Sequence, residues 1–458
     1  MSGTRFNFKP GSISRRTVLR YAGAGVAAAT AAGSTVFSPL ATIAKQGSNV
    51  DIEFAINQSF SDPAHPAMKQ IETFNAMNLG VTVTGTSYGA SYEDIMQRAQ
   101  ANISAGIGPA IILTGWKYAL FADAALGLTD LREVGGDQTE TILARFQPWV
   151  ADIIRVGDKI AGLPMSVSTP ILYYNKDIFA QAGLAEDVSL ATWDEVIAVA
   201  EQIKTNTDIE TPLVGGINGW SAQSFIQNNG GFILNDAYEA VFDSAEAIGG
   251  MQVWENLRNS GAYTAIPDDQ QAPAFLAGSA AMYFVSSAGL ASMRSSATFE
   301  IGTAEFPANG TNAKLLPSGG NFLGVYTDDE EQKAAAWEYL DFVSSLEGAT
   351  IWNDTGYMVA TLDDIPRMPG SEPAYAQAES GLTAETIWPG ARGLEALIVF
   401  ADWTTKMVMG EVTVEEGMAD CFSAINDLIA YVFRIATRGD PYRTSNERWS
   451  SRFQRKSF

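Results

Sequence analysis

Apolar and polar positions alternate over residues 50–56 and again over 81–86, which predicts two strands. Between them, 66–77 carries apolar residues at helical spacing, with Pro66 suited to a first helical turn. Tyr88 and Tyr92 then fall in a predicted loop. Residues 93–105 read as a helix, and the apolar run 109–113 as a buried strand leading to Gly115 and Trp116. The alternation continues. Residues 171–174 form an apolar and aromatic strand, and Asp177 is placed to cap a helix from 178 that Gly183 ends. Thr192 caps a helix over 193–204, and 215–220 is a Gly-rich turn ahead of another helical segment. A short helix at 272–278 leads into a strand at 281–285, and helices follow at 334–346, 396–409 and 413–436. A linker rich in proline and acids covers 363–379. This order implies βα units and an α/β fold of largely parallel sheets, in which ligands are met beyond the carboxyl ends of strands.

A chain of 458 residues exceeds what one core usually holds, so two or more domains are expected. The net charge of −23 makes a poor nucleic-acid binder, because phosphate contacts need Lys and Arg. All the basic residues before position 45 (Arg5, Lys9, Arg15, Arg16, Arg20) lie in a segment without acids. There Arg15-Arg16 precede an Ala/Gly-rich apolar run, the pattern of a twin-arginine export signal. Cleavage is expected near Ala44, giving a periplasmic protein. The single cysteine, Cys421, excludes an intrachain disulfide and reads as an inert buried thiol. With one histidine, His65, a His/Cys zinc site is excluded as well. No zincin or phosphate-loop motif occurs, and no catalytic residue, metal or cofactor is assigned. The tail 438–458 is polar and basic.

The segment from Gly162 to Gly183 reads Gly-Leu-Pro-Met-Ser-Val-Ser-Thr-Pro-Ile-Leu-Tyr-Tyr-Asn-Lys-Asp-Ile-Phe-Ala-Gln-Ala-Gly. It resembles the first interlobe crossover of ABC-transporter solute-binding proteins of the carbohydrate-binding cluster, nearest the glycerol-3-phosphate and maltose branch. The turn Trp352-Asn-Asp-Thr-Gly-Tyr357 is similar to another turn of that family, although the family's following proline is absent here. The resemblance implies a two-lobed periplasmic-binding-protein fold of type II, each lobe a mostly parallel sheet flanked by helices. After a signal at 1–44, lobe I would comprise 45–164 with 320–362, and lobe II 165–319 with 363–437. Crossovers would fall near 164–169, 317–322 and 361–367. The implied function is a monomeric receptor that closes over a solute and passes it to an ABC permease.

Aromatic rings in loops beyond strands suit sugar or polyol recognition, the face covering C–H groups while hydroxyl and amide side chains meet hydroxyls. Tyr88, Tyr92, Trp116, Trp220, Tyr357 and Trp388 are the aromatic candidates, the core being the competing destination for each. Ser168 and Thr169 offer hydroxyls at the crossover, and Gly320 and Asn321 lie at the return. By resemblance, Ser286 and Ser287 meet the ligand at a helix start, and Arg392 stands near the place of a phosphate-binding arginine. In this chain Arg392 precedes the Gly-Leu pair and Glu395 occupies the family's arginine slot. A sugar or polyol is therefore the expected ligand, with glycerol 3-phosphate or a glycerophosphodiester as the alternative. An exported glycosidase, which needs two placed carboxylates, is the competing class.

Overall fold

The structure is a computed structural model, and it describes residues 49–436 apart from 149, 157, 236, 311–314, 363 and 390–391. The expected export signal with its cleavage point, and the basic tail, lie outside the described residues. In chain order the main strands are β1 (Val50–Asn57), β2 (Val81–Gly89), β3 (Ile111–Gly115), β4 (Leu163–Ser168), β5 (Pro170–Asn175), β6 (Thr211–Gly215), β7 (Ala280–Ser286), β8 (Ile301–Glu305), β9 (Leu316–Pro317), β10 (Gly319–Val325) and β11 (Leu382–Thr383). They build one sheet of order β2-β1-β3-β10-β4 and another of order β8-β5-β7-β6, with β9 and β11 paired alone.

Two lobes follow, each an α/β layer with its own core. Beside the first sheet, Tyr339 packs its ring 5.9 Å from Phe54 and 5.2 Å from Phe74. Beside the second, Trp193, Phe225 and Trp254 stack at 5.0 and 4.7 Å between centroids. Such pairs add roughly 0.5–1.5 kcal/mol each beyond the area they bury. The closing helices Gly393–Met409 and Val414–Ala436 join this second core through Phe400, Met407 and Cys421. Burial pushes the Cys421 thiol up to about 12, so it stays protonated.

The chain changes sheet at Thr169 and again at Ser318, and a third time between Thr361 and the helix Glu372–Ser380. Residues 165–168, assigned to the second lobe in the sequence reading, complete β4 of the first sheet, because β10 pairs with them up to Gly319–Ser168. Each sheet is mostly parallel in strand direction, as expected, with one reversed strand. β1 runs parallel to β2 and β3, and β6 to β7, but β10 is antiparallel to β3 and β4, and β5 to β7 and β8. The strands of the βα units end at the cleft, whereas a strand arriving from the other sheet starts there.

Several local details differ from the sequence reading, each for a capping or turn reason. Tyr88 continues β2 instead of entering a loop, and Tyr92 opens the helix Tyr92–Ser104 behind a Ser91–Asp94 capping box. Asn175, not Asp177, caps the helix Lys176–Gln181, its side chain accepting from the backbone N–H groups of Asp177 and Ile178. The Pro- and acid-rich linker holds the helix Glu372–Ser380, with Pro373 in its first turn. Among the described residues no helix is long and apolar enough to cross a membrane, and no His/Cys/Asp/Glu group could hold a metal ion.

Candidate functional site

Register brings the strand ends together. β10 pairs Asn321 with Gly115 at the end of β3 and Gly319 with Ser168 at the end of β4, while β5 pairs Pro170 with Ser286 at the end of β7. A cavity of about 170 Å³ opens there, between the two sheets. Its lining is Tyr92, Gly115, Lys117, Ser168, Trp220, Ser286, Gly319, Gly320, Tyr357 and Glu385. A larger cavity of about 270 Å³, beside Gln147, Arg367 and Tyr375, touches none of these strand ends.

Each lining side chain is held from behind. Trp220, in the first turn of the helix Gly219–Asn228, donates its indole N–H to the Ser318 carbonyl at 3.2 Å. Asn321 donates to the Tyr92 hydroxyl at 2.8 Å, and the Tyr92 and Tyr357 hydroxyls interact with one another. Trp352 stacks behind Tyr357 with centroids 6.1 Å apart. Gly320 has φ +119°, and a Cβ there would lie 2.0 Å from the Ser166 carbonyl oxygen, so only glycine fits. The Ser166 and Ser318 hydroxyls and the Asn321 side-chain oxygen are buried beside the cavity without a protein partner.

Among the described lining residues the charged groups are Lys117 and Glu385. Lys117 Nζ lies 3.8 Å from Glu93 and 4.0 Å from Glu385. Burial pushes the Glu385 carboxyl up to about 7, and Lys117 opposes that rise. Burial also acts to raise Glu93, but Lys117 and the hydroxyl donated by Tyr118 outweigh it and hold Glu93 below its usual range. Desolvation raises Tyr92 and Tyr357, which stay neutral donors and acceptors.

Of the residues singled out in the sequence, Tyr92, Ser168, Trp220, Ser286, Gly320 and Tyr357 line the cavity, and Asn321 supports Tyr92. The others do not line it. Trp116 is 1% exposed, its ring 5.3 Å from Phe322 and its N–H given to the Ser166 carbonyl, so it forms the wall behind Gly320. Tyr88 bonds Glu53 and Asn102, with Arg98 over its ring. Thr169 and Ser287 bond one another at the crossing, the Thr169 N–H donating to the Ser287 hydroxyl at 3.2 Å. Trp388 packs against Phe400. Arg392 sits ahead of the helix Gly393–Met409 in a double contact with Glu395. Lys117 and Glu385 were missed. Lys117 could have been read from its place two residues past a strand end, but Glu385 was one acid among many.

Sequence comparison matches residues 69–378 to the bacterial extracellular solute-binding protein family. The chain belongs to that family, whose members are substrate-binding receptors of ABC importers and not enzymes. It is 28% identical over 312 residues to the sn-glycerol-3-phosphate-binding periplasmic protein UgpB of Escherichia coli K12, covering 63% of this chain and 70% of that one. In fold it is similar to UgpB from Mycobacterium tuberculosis in complex with glycerophosphocholine, with a TM-score of 0.73, 19% identity, and 84% and 99% of the two chains covered. It is likewise similar to the cyclic alpha-maltosyl-1,6-maltose binding protein of Arthrobacter globiformis, with a TM-score of 0.69, 20% identity and 83% and 98% coverage. Membership implies an exported protein that works with an ABC permease.

Proposed function

We propose that this receptor takes a small polyhydroxylated solute, a sugar or polyol, into the cavity between its sheets, the lobes dividing at Thr169 and Ser318. The make-up of the cavity carries the reading. Tyr92, Trp220 and Tyr357 supply ring faces, and Ser168, Ser286 and the backbone at Gly319 and Gly320 supply hydrogen-bonding groups. Rings cover the C–H side of a sugar and the polar groups meet its hydroxyls.

Glycerol 3-phosphate is the alternative, since the Escherichia coli relative is named for it and Lys117 lines the cavity. Lys117 already faces two carboxylates, however, and Arg392 does not line the cavity. The protein is exported as a monomer by the twin-arginine route, with cleavage near Ala44, the Arg15-Arg16 pair being the support for the route.

The test is a melting-temperature screen with neutral sugars, polyols and glycerol 3-phosphate, since a ligand that binds only the folded state raises stability. A neutral solute should give the largest shift, and Trp220→Ala should weaken its binding at least tenfold, or ~1.4 kcal/mol. Binding by the variant equal to wild type would place the solute elsewhere.

A further inference from the structure

Glu385 is 9% exposed and lines the cavity, yet a buried carboxylate is an expensive thing to keep in a binding cleft. Its position is built with care. Gln223, itself 2% exposed, donates to the Ala384 carbonyl at 3.1 Å and accepts the Thr386 N–H at 3.0 Å, clamping the backbone on both sides of Glu385. Next to it, Thr383 donates to the Gln227 side-chain oxygen at 2.8 Å. The backbone that carries Glu385 is thus fixed from the same helix that presents Trp220 to the cavity.

Deepening the reading of a polyhydroxylated ligand, on which this rests, we infer that Glu385 is the specificity-determining residue of the cleft, accepting hydroxyl donors from the solute and excluding phosphate esters. A phosphate in this cavity would sit against Glu385, and the nearby cation is shared. Lys117 lies within 4.0 Å of Glu385 and 3.8 Å of Glu93. A carboxylate has only acceptor oxygens when ionised, so it matches hydroxyls and mismatches a phosphate. Like charges in a partly desolvated site repel strongly.

The charged and titratable groups facing Glu385 are Lys117 and Tyr118 from the turn after β3, Glu93 and Tyr92 from the helix Tyr92–Ser104, and Tyr357 across the cavity. Over pH 5.5–8 the tyrosines, raised by burial, stay neutral, and Glu93, held below its usual range, stays ionised. Among these carboxyl and phenol groups Glu385 is the one that changes charge, and glycerol 3-phosphate itself gains its second negative charge at about pH 6, so exclusion of phosphate should strengthen as pH rises.

The experiment is calorimetric titration of wild type and Glu385→Gln with glycerol 3-phosphate at pH 5.5 and pH 8, with Lys117→Met as a second variant. At pH 8 Glu385→Gln should bind glycerol 3-phosphate at least tenfold more tightly than wild type, and this gap should shrink at pH 5.5. Lys117→Met should bind it more weakly than wild type. No gain in Glu385→Gln, or wild type binding glycerol 3-phosphate as tightly as the variant, overturns the assignment. Should Glu385→Gln fail to fold, a Lys117→Met that loses no glycerol 3-phosphate affinity overturns it as well. The neutral-solute screen fails independently: if no sugar or polyol binds wild type, the ligand-class reading falls while the phosphate comparison still reports on Glu385.

Discussion

Glu385 costs the fold stability at neutral pH. Its folded pKa is raised by burial to about 7, above the ordinary carboxylate value, so its favourable contribution is fully present below about pH 4.5 and is lost as pH rises through about 7. Glu385→Gln should therefore be more stable than wild type at pH 8, by on the order of 1–3 kcal/mol, and no more stable below pH 5. Circular dichroism melts at both pH values check this, and equal melting at pH 8 would contradict it. His65 pulls the other way. Burial lowers it to about 4 and its ring nitrogen accepts the Ala67 N–H, so its contribution is present above about pH 6.5 and fades as pH falls toward 4. Residues were the least legible scale in the sequence. The hydroxyl and aromatic residues at strand ends could be picked out because strand ends could be. Which way each ring turns depended on the packing behind it, and Trp116 turned inward onto Phe322. Nothing local marked Glu385, whose role comes from the chain folding it against Lys117 from far away in sequence.

At the scale of elements, the helix Gly219–Asn228 does more than its pattern suggests. Its buried face carries Ser221, Gln223, Ser224, Gln227 and Asn228, and of these the amide side chains of Gln223, Gln227 and Asn228 clamp other segments. Gln223→Leu keeps bulk but leaves the Ala384 carbonyl and Thr386 N–H unmatched. It should lower stability by ~1–3 kcal/mol and weaken binding of the confirmed solute several-fold, although Gln223 does not line the cavity. A variant with wild-type affinity would show that Glu385 needs no such clamp. The elements themselves were mostly legible, because alternation and helical spacing marked them and caps such as Thr192 marked their starts. What sequence order could not give was strand direction. Alternating strands and helices look alike whether a strand belongs to a βα unit or arrives from the other lobe, and only pairing separates them. The linker expected over 363–379 holds a helix, because Pro373 sits in that helix's first turn.

At the scale of the whole molecule, the two-lobed class followed from the crossover segment and is borne out by the family and its structural relatives. The export route is a separate matter of the N-terminal segment. Replacing Arg15 and Arg16 by Lys should strand the protein in the cytoplasm, as read by cell fractionation. Normal periplasmic accumulation of that variant would point to a different route.

The position of β10 gives that route a rationale. It lies in the middle of the first sheet, between β3 and β4, yet it is made long after both. While the ribosome produces the intervening lobe, about 150 residues at ~5–20 per second, β3 and β4 stand with facing edges unfilled for ~8–30 s. Open edges of apolar strands invite pairing with other chains. Export of an already folded chain, as the Arg15-Arg16 pair leads us to propose, would keep that wait inside the cytoplasm.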